Sequence, residues 1–512
     1  VIEVEVHQRL RAFLREQGKP YWSHHLTMAR LVARALRLGR SALLQTDALS
    51  RYQGRYRLSY LVPVLLWQEP VILVVPEDVQ QRLLMVEIPQ LRQWVETSKP
   101  IYTGDRVPAE DFNGLLLTTP ESWLRDRLHQ EGRFPPGIPT ILDGVDDLEQ
   151  WVQSVLTVNL QPSDWEDLML ACPAHGDAIR DARVQLTKTI FQRPVNPYDC
   201  CLLEPYEQRI LECLFEFLGA TAPLPLLPPR WQQFQKAYTQ PGQMLWADIS
   251  RQLGQFSLNS SPIEVSSVLR EVWEQQPVIL VGGALDLDAE AAVYRQRLGL
   301  DDVTSVKFTP DRSDELIHLY LPERIPMPNT EWFQSALMQE MHTLLRLSAG
   351  GQGLTVLIVG DTPLKAQVGS LLAAEFGSRV QVERTCLDEN GVLVTGWEFW
   401  QTYQKVLPIP QTIAIATLPI PSLEDPLIAG KVAYYKQHRL DWFRLFLFPE
   451  ALNKLQRAIA PVRERQGVVA LFDSRVVHRS YGQQVLTALN PFARVSYLEA
   501  GLFNQTDCSF FE

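Results

Sequence analysis

Short, uninterrupted apolar runs recur along this chain, and they restrict its possible folds more than any other feature. Residues 41–46 (Ser-Ala-Leu-Leu-Gln-Thr), 70–75 (Pro-Val-Ile-Leu-Val-Val), 114–118 (Gly-Leu-Leu-Leu-Thr) and 140–143 (Thr-Ile-Leu-Asp) are too short for helices and apolar on both faces. Strands of that kind belong in a parallel sheet covered by helices on each side. Helical patterns alternate with them. Trp22, Leu26, Met28, Leu31, Val32, Ala35 and Leu36 recur at helical spacing, with Ser23 as the expected cap, and residues 58–67 and 78–84 read as further helices. Residues 47–57 are polar and read as loop. Between 151 and 265 the alternation stops. Segments 206–218, 229–238 and 243–253 carry many Trp and Leu and are broken by the proline-rich stretch 223–229, which predicts an all-helical insertion with Trp231, Phe234, Tyr238 and Trp246 in its core. Apolar runs return at 277–281, 305–308, 354–359, 380–382, 391–394, 412–416 and 467–472, separated by helical stretches such as 330–347 and 363–376.

The expectation is an α/β chain of two parallel-sheet domains. The first covers residues 1–150 with a return strand near 265–285, the insertion covers 151–264, and the second covers 286–512.

Composition narrows the function. At 512 residues and 46% hydrophobic, the chain has ample material for packed cores. Lys+Arg 48 against Asp+Glu 59 gives a net charge of -11, which excludes tail-driven or histone-like DNA binding. Any nucleic-acid surface must be a local basic one. The longest apolar run, residues 60–67, is interrupted by Pro63 and falls far short of the roughly 18 residues of a membrane span. With no secretion-type leader at the start of this sequence, a cytoplasmic setting is expected. The six cysteines (Cys172, Cys200, Cys201, Cys213, Cys386, Cys508) lack a C-x-x-C pair and the histidines are scattered, so no metal site is expected.

The second half carries longer signatures. Leu418-Pro-Ile-Pro-Ser-Leu-Glu-Asp-Pro-Leu427 is similar to L-P-F-x-x-P-x-D-P-L, Phe399-Trp400 to the start of F-W-E-G, and Phe443 with Phe448-Pro-Glu-Ala451 to F-x-x-Y-x-x-P-x-A. Gly467-Val-Val-Ala-Leu-Phe-Asp-Ser-Arg475 followed by Tyr481-Gly482 is similar to G-V-V-x-x-x-D-x-R with a later Y-G. In the first half, Leu58-Ser-Tyr-Leu-Val-Pro63 matches L-A-Y-L-x-P, and Asp143-Gly-Val-Asp-Asp-Leu-Glu149 stands where D-E-A-H-x-L-E belongs. These motifs resemble the DinG/XPD branch of superfamily 2 DNA helicases over most of the chain. The resemblance implies two RecA-like domains with an arch-like insertion in the first, an ATP-driven motor, and single-stranded DNA as a partner.

Four motor elements depart from that pattern. A nucleotide loop needs glycines whose N–H groups wrap phosphate, a Lys for the terminal phosphates and a hydroxyl for magnesium. Here the segment is Ser50-Arg-Tyr-Gln-Gly-Arg-Tyr-Arg57, leaving Gly54, Arg55 and Tyr56 as the nucleotide-binding candidates. Of the acidic motif, Asp143 is kept, Gly144 replaces the water-activating Glu, and Asp146 replaces the His. The acids Asp143, Asp146 and Asp147 otherwise read as a cap for the next helix. Gln401-Thr-Tyr-Gln404 replaces E-G-x-D. In the helix expected to carry Q-x-x-G-R-x-x-R, the segment Arg457-Ala-Ile-Ala-Pro-Val-Arg463 puts Pro461 at the arginine-finger place, so Arg463 or Arg465 would have to serve. The family's cysteine cluster is missing from 58–142, so no iron–sulfur cluster is expected.

Trp397, Phe399, Trp400 and Tyr403, with Arg51, Arg55 and Arg57, are the candidates for contacting a nucleic-acid strand, although aromatic residues at this spacing also suit a core. Three functions follow. The leading one is a helicase-family protein with a degenerate motor, acting as a nucleic-acid-binding or scaffolding component. The others are an active ATP-dependent DNA helicase with divergent motifs, using ATP and Mg, and a protein-interaction module that touches no nucleic acid.

Overall fold

The computed structural model describes residues 2–18, 21–108, 112–221, 227–310, 315–348 and 353–503. The prolines at 223 and 225 and Cys508 lie outside them. Two antiparallel helices, α1 (Ile2–Gln17) and α2 (His25–Leu38), precede the first strand. Ser23 does not cap α2. The helix begins at His25 without a side-chain cap and ends at Gly39, whose φ of 58° is the left-handed conformation that closes a helix.

Strand β1 (Ala42–Gln45) leads into a short helix α3 (Ala48–Gln53) and then α4 (Arg57–Leu66), so the expected loop at 47–57 is largely helical. Strands β2 (Val71–Val74), β3 (Ile101–Thr103), β4 (Leu115–Thr118) and β5 (Thr140–Asp143) follow. The insertion holds β6 (Val158–Leu160), β7 (Cys200–Leu202), β8 (Gln243–Ser250) and β9 (Gln255–Pro262), after which come β10 (Val278–Gly282) and β11 (Thr304–Lys307). The first sheet has seven parallel strands in the order β11-β1-β10-β5-β2-β4-β3. Its inner strands β1, β2, β4, β5 and β10 are buried at every position, as their continuous apolar character requires.

Strands β12 (Ile317–Tyr320), β13 (Leu354–Ile358), β14 (Val380–Val382), β15 (Val392–Thr395), β16 (Pro410–Ile415), β17 (Val468–Leu471) and β18 (Phe492–Val495) form a second parallel sheet, ordered β14-β15-β13-β16-β17-β12-β18. The protein therefore has the two expected parallel-sheet domains. Strand β11 pairs with β1 and so belongs to the first sheet, although residues 305–308 read as part of the second domain.

The insertion is not all helical. Its helices enclose a four-stranded antiparallel sheet, β6-β9-β8-β7. The segment read as a helix at 243–253 is strand β8, and Trp246 lies on it rather than in a helical core. Ala247 and Ile249 point inward and Asp248 outward, a period of two that half-buried strands show. Trp231 and Phe234 are fully buried, as expected, with Trp165 edge-on to Trp231.

Candidate functional site

In an open parallel sheet the cleft beyond the strand C-termini is where ligands bind. Here β1, β10 and β5 are adjacent, so their ends bring together Asp47, Gly282 and Asp143 with the turn of residues 50–57.

That turn is closed on itself. The Asp47 carboxylate caps α3 by accepting from Ser50 N at 2.5 Å. Arg51 N donates to Asp47 O at 3.0 Å and Gly54 N to Ser50 O at 2.8 Å. The backbone donors that would wrap a phosphate are spent inside a helix, and the helix N-terminus already carries a carboxylate. Gly54, with φ 71°, is required by close approach as well as by conformation, because a Cβ there would lie 2.6 Å from Arg57 Nη1.

Tyr56 is fully buried and its hydroxyl donates to Asp143 Oδ1. One helical turn later Tyr60, also fully buried, donates to Asp143 Oδ2 at 2.8 Å, and Arg57 Nε reaches the same oxygen at 3.3 Å. Both oxygens of the expected magnesium-holding carboxylate are thus engaged by side chains of the expected phosphate loop and the helix after it. Burial, then the Asp143 charge, pushes both phenols well above the usual tyrosine range, keeping them protonated as donors. Burial works most strongly against the Arg57 charge too, but Asp143, Tyr60, Tyr56 and Glu87 together outweigh it and the guanidinium stays protonated. Arg55 is half-buried and makes no ion pair to a described residue.

Asp146 and Asp147 do not cap the next helix. Asp146 accepts from Ala284 N at 2.7 Å and Gly283 N at 3.0 Å, and pairs with Arg51 Nε at 2.6 Å. Burial opposes its charge, yet Arg51 and Arg457 prevail and its carboxyl lies below the usual range. Asp147 takes Arg51 at 3.4 Å and, from the second domain, Arg457. Arg457 stands at the glutamine place of Q-x-x-G-R-x-x-R. Next to this pair, Glu149 joins Arg297 Nε at 2.8 Å and Lys431 Nζ at 2.6 Å, and Arg297 also binds Glu450. Burial alone would raise the Glu149 carboxyl, but Arg297 and Lys431 hold it at about 2. Lys431, Glu450 and Arg457 belong to the second domain, so these pairs span the cleft.

Other candidates sit elsewhere. Arg463 is buried, its guanidinium donating to the carbonyls of Glu315, Leu489, Asn490 and Pro491, and burial lowers it to about 10. Pro461 lies inside the same helix, Phe448–Arg463. Trp400 is fully buried and donates to Ala458 O at 2.9 Å, so no base can stack on it. Trp397 is partly buried against the second core, and Phe399 packs on Tyr403 with ring centroids 4.6 Å apart. The site residues that sequence reasoning missed are Tyr60, Arg297, Lys431 and Arg457. Only Tyr60 had a local signal, four residues after Tyr56 on the same helical face.

The retained motifs are scaffold. Asp473 accepts from Leu418 N at 2.7 Å and pairs with Arg475 at 2.6 Å, tying two motifs together. Phe443, Phe448 and Tyr481 form one aromatic cluster. A Cβ at Gly482 would strike the Val476 carbonyl, so glycine is obligatory there.

Two parallel sheets on either side of such a cleft, with an insertion in the first, give the chain a two-domain fold of the kind that solved XPD helicases have. In sequence and fold the chain is similar to helicases of the DinG/XPD type. The chain is 23% identical over 252 residues to the ATP-dependent DNA helicase YoaA of Haemophilus influenzae, covering 46% of this chain and 39% of that protein. It is 22% identical over 275 residues to YoaA of Escherichia coli, covering 51% and 42%. The chain thus spans less than half the length of these curated relatives. A solved XPD helicase superposes with a TM-score of 0.58 at 11% identity, covering 93% of this chain and 100% of that one. S. tokodaii Xpd4 gives 0.58 at 12% identity, covering 93% and 100%. No family model matches the sequence.

Proposed function

We propose that this protein is a helicase-family frame without a working motor, a nucleic-acid-binding or scaffolding component that neither binds nor hydrolyses ATP. The observation that carries this is the engagement of both Asp143 oxygens by Tyr56, Tyr60 and Arg57. A magnesium–triphosphate would have to displace two buried phenols and an arginine and recover backbone donors already committed to α3. The residues present do not fit that ligand. Nor does anything beside Asp143 orient an attacking water, since Gly144 occupies the place of the base. The pairs from Lys431, Arg457 and Glu450 across the cleft support the same reading, because a motor's domains must open and close while these are held by the protein's own charges. No described helix is long and apolar enough to cross a membrane, and the reading places the protein in the cytoplasm with a nucleic acid or another protein as partner.

Titration calorimetry with ATP and with ADP, each with magnesium, tests it. The expected result is no binding heat and no hydrolysis, with or without single-stranded DNA. Magnesium-dependent binding together with DNA-stimulated hydrolysis that Asp143→Ala abolishes would restore the active-helicase alternative.

A further inference from the structure

The charge of this chain is unevenly placed. Its first 40 residues contain seven arginines and one lysine against three glutamates, in a protein whose net charge is -11. From Tyr21 to Thr46 there is no acidic residue at all. The fold turns that bias into a surface. Helix α2 buries Met28, Ala29, Val32, Ala33 and Leu36 against α1, α4 and β1, which leaves Arg30, Arg34 and Arg37 exposed on its outer face, one per turn, with Arg40 exposed just beyond the Gly39 cap. Arg30 to Arg37 spans about 10 Å at 1.5 Å per residue. Only Arg37 is neutralised, by Glu3 at 2.7 Å. Arg30, Arg34 and Arg40 make no ion pair to a described residue, and neither do the exposed Arg11 and Arg15 on the adjoining α1.

Like charges four apart on a helix cost stability, by about 0.2–0.5 kcal/mol a pair. Arg37 near the helix C-terminus is favoured by the helix dipole, but Arg30 and Arg34 lie before the last turn and gain little from it. Uncompensated breaches of a local rule concentrate at functional surfaces. Arginine rather than lysine is the cation here, and its planar fork matches phosphate oxygens. The overall negative charge does not forbid a polyanion at this face, because at physiological ionic strength fields fade beyond about 8 Å.

We propose that the outer face of α2, with Arg30, Arg34 and Arg40, is a docking surface for the phosphate backbone of a nucleic acid. It has no base-reading groove, so binding is independent of sequence and dominated by counterion release. None of these arginines contacts Asp143, Asp146 or Asp147, so the surface is independent of whether the cleft accepts nucleotide.

Fluorescence anisotropy of a labelled single strand, titrated with the whole protein from about 50 to 200 mM salt, tests the assignment. Arg30→Glu/Arg34→Glu is expected to weaken binding at least tenfold at low salt. The neutral Arg30→Gln/Arg34→Gln pair is expected to lower the salt slope by about 1.4, from two lost contacts at about 0.7 each. Arg444→Glu, at an exposed arginine of the second domain, is expected to leave binding unchanged. Both α2 variants should keep the wild-type circular dichroism melt, since their side chains are exposed. Full binding by both α2 variants, or no binding by the wild type at low salt, overturns the proposal. Polyglutamate that displaces the strand at equal charge concentration overturns it in favour of an acidic protein partner.

Discussion

Replacing Arg57 by methionine keeps the stem of the side chain and removes its charge. In the native protein the Arg57 and Asp143 side chains are 6% and 2% exposed, and the guanidinium is the cation closest to that carboxylate. Stranding one partner of a buried pair costs about 3–5 kcal/mol. Tyr56 and Tyr60 still donate to Asp143, which puts the expected loss at the lower end, about 3 kcal/mol. At about 2–4 °C per kcal/mol for a domain of ordinary size, the first transition should fall by about 6–12 °C. Arg57→Met combined with Asp143→Asn should recover most of the loss, because an amide needs no counter-charge, and one phenol can donate to its oxygen while the other accepts from its NH2. Urea unfolding of the wild type, both single variants and the double variant reads the coupling directly. If Arg57→Met lies within about 1 kcal/mol of the wild type, or the double variant is no more stable than Arg57→Met, the picture of a self-neutralised site is wrong.

Gly54→Ala should destabilise the first domain by about 1–3 kcal/mol, since it combines a positive φ with displacement of the Arg57 guanidinium, and thermal unfolding checks it. Glu149 falls from an ordinary 4.5 to about 2 on folding, so its contribution of about 3 kcal/mol is complete above 4.5 and is lost as pH drops toward 2. Glu149→Gln should therefore flatten the fall of stability across that acid window in urea unfolding. Trp400→Ala should cost about 3–5 kcal/mol as a core truncation. Tyr403→Ala, at a residue 38% exposed, should cost under about 1 kcal/mol by the same unfolding assay.

Most inner strands were legible because a strand buried on both faces has no choice but to be apolar throughout, as residues 71–74 and 468–471 are, whereas Ile317–Tyr320, with a histidine in it, went unread. Edge strands carry a weaker mark: 305–308 and 380–382 could be read, and the other two edges could not. Ile101–Thr103 and Phe492–Val495 are half-exposed and read as nothing in particular. The insertion misled for a related reason. In β9, Phe256 and Leu258 alternate with Ser257 and Asn259, a weaker signal than the Trp and Leu content that suggested helices. Within the site, the departures from the motor motifs could be read residue by residue. What filled the gap could not, because Lys431 and Arg457 meet Glu149 and Asp147 only after some 280 and 310 residues of intervening chain have folded.

The turn that follows β5 has a consequence for how the two halves hold together. Of the three part-buried charge pairs that join them among the described residues, Asp147 and Glu149 anchor two, and the third relies on Arg297, which Glu149 orients. So narrow a tongue makes the charged part of the clasp fail as a unit: disabling a stretch of three residues would leave the halves joined by the packing of the helix Phe448–Arg463 on α3 and by neutral bonds such as Asn453 to the Ala284 carbonyl.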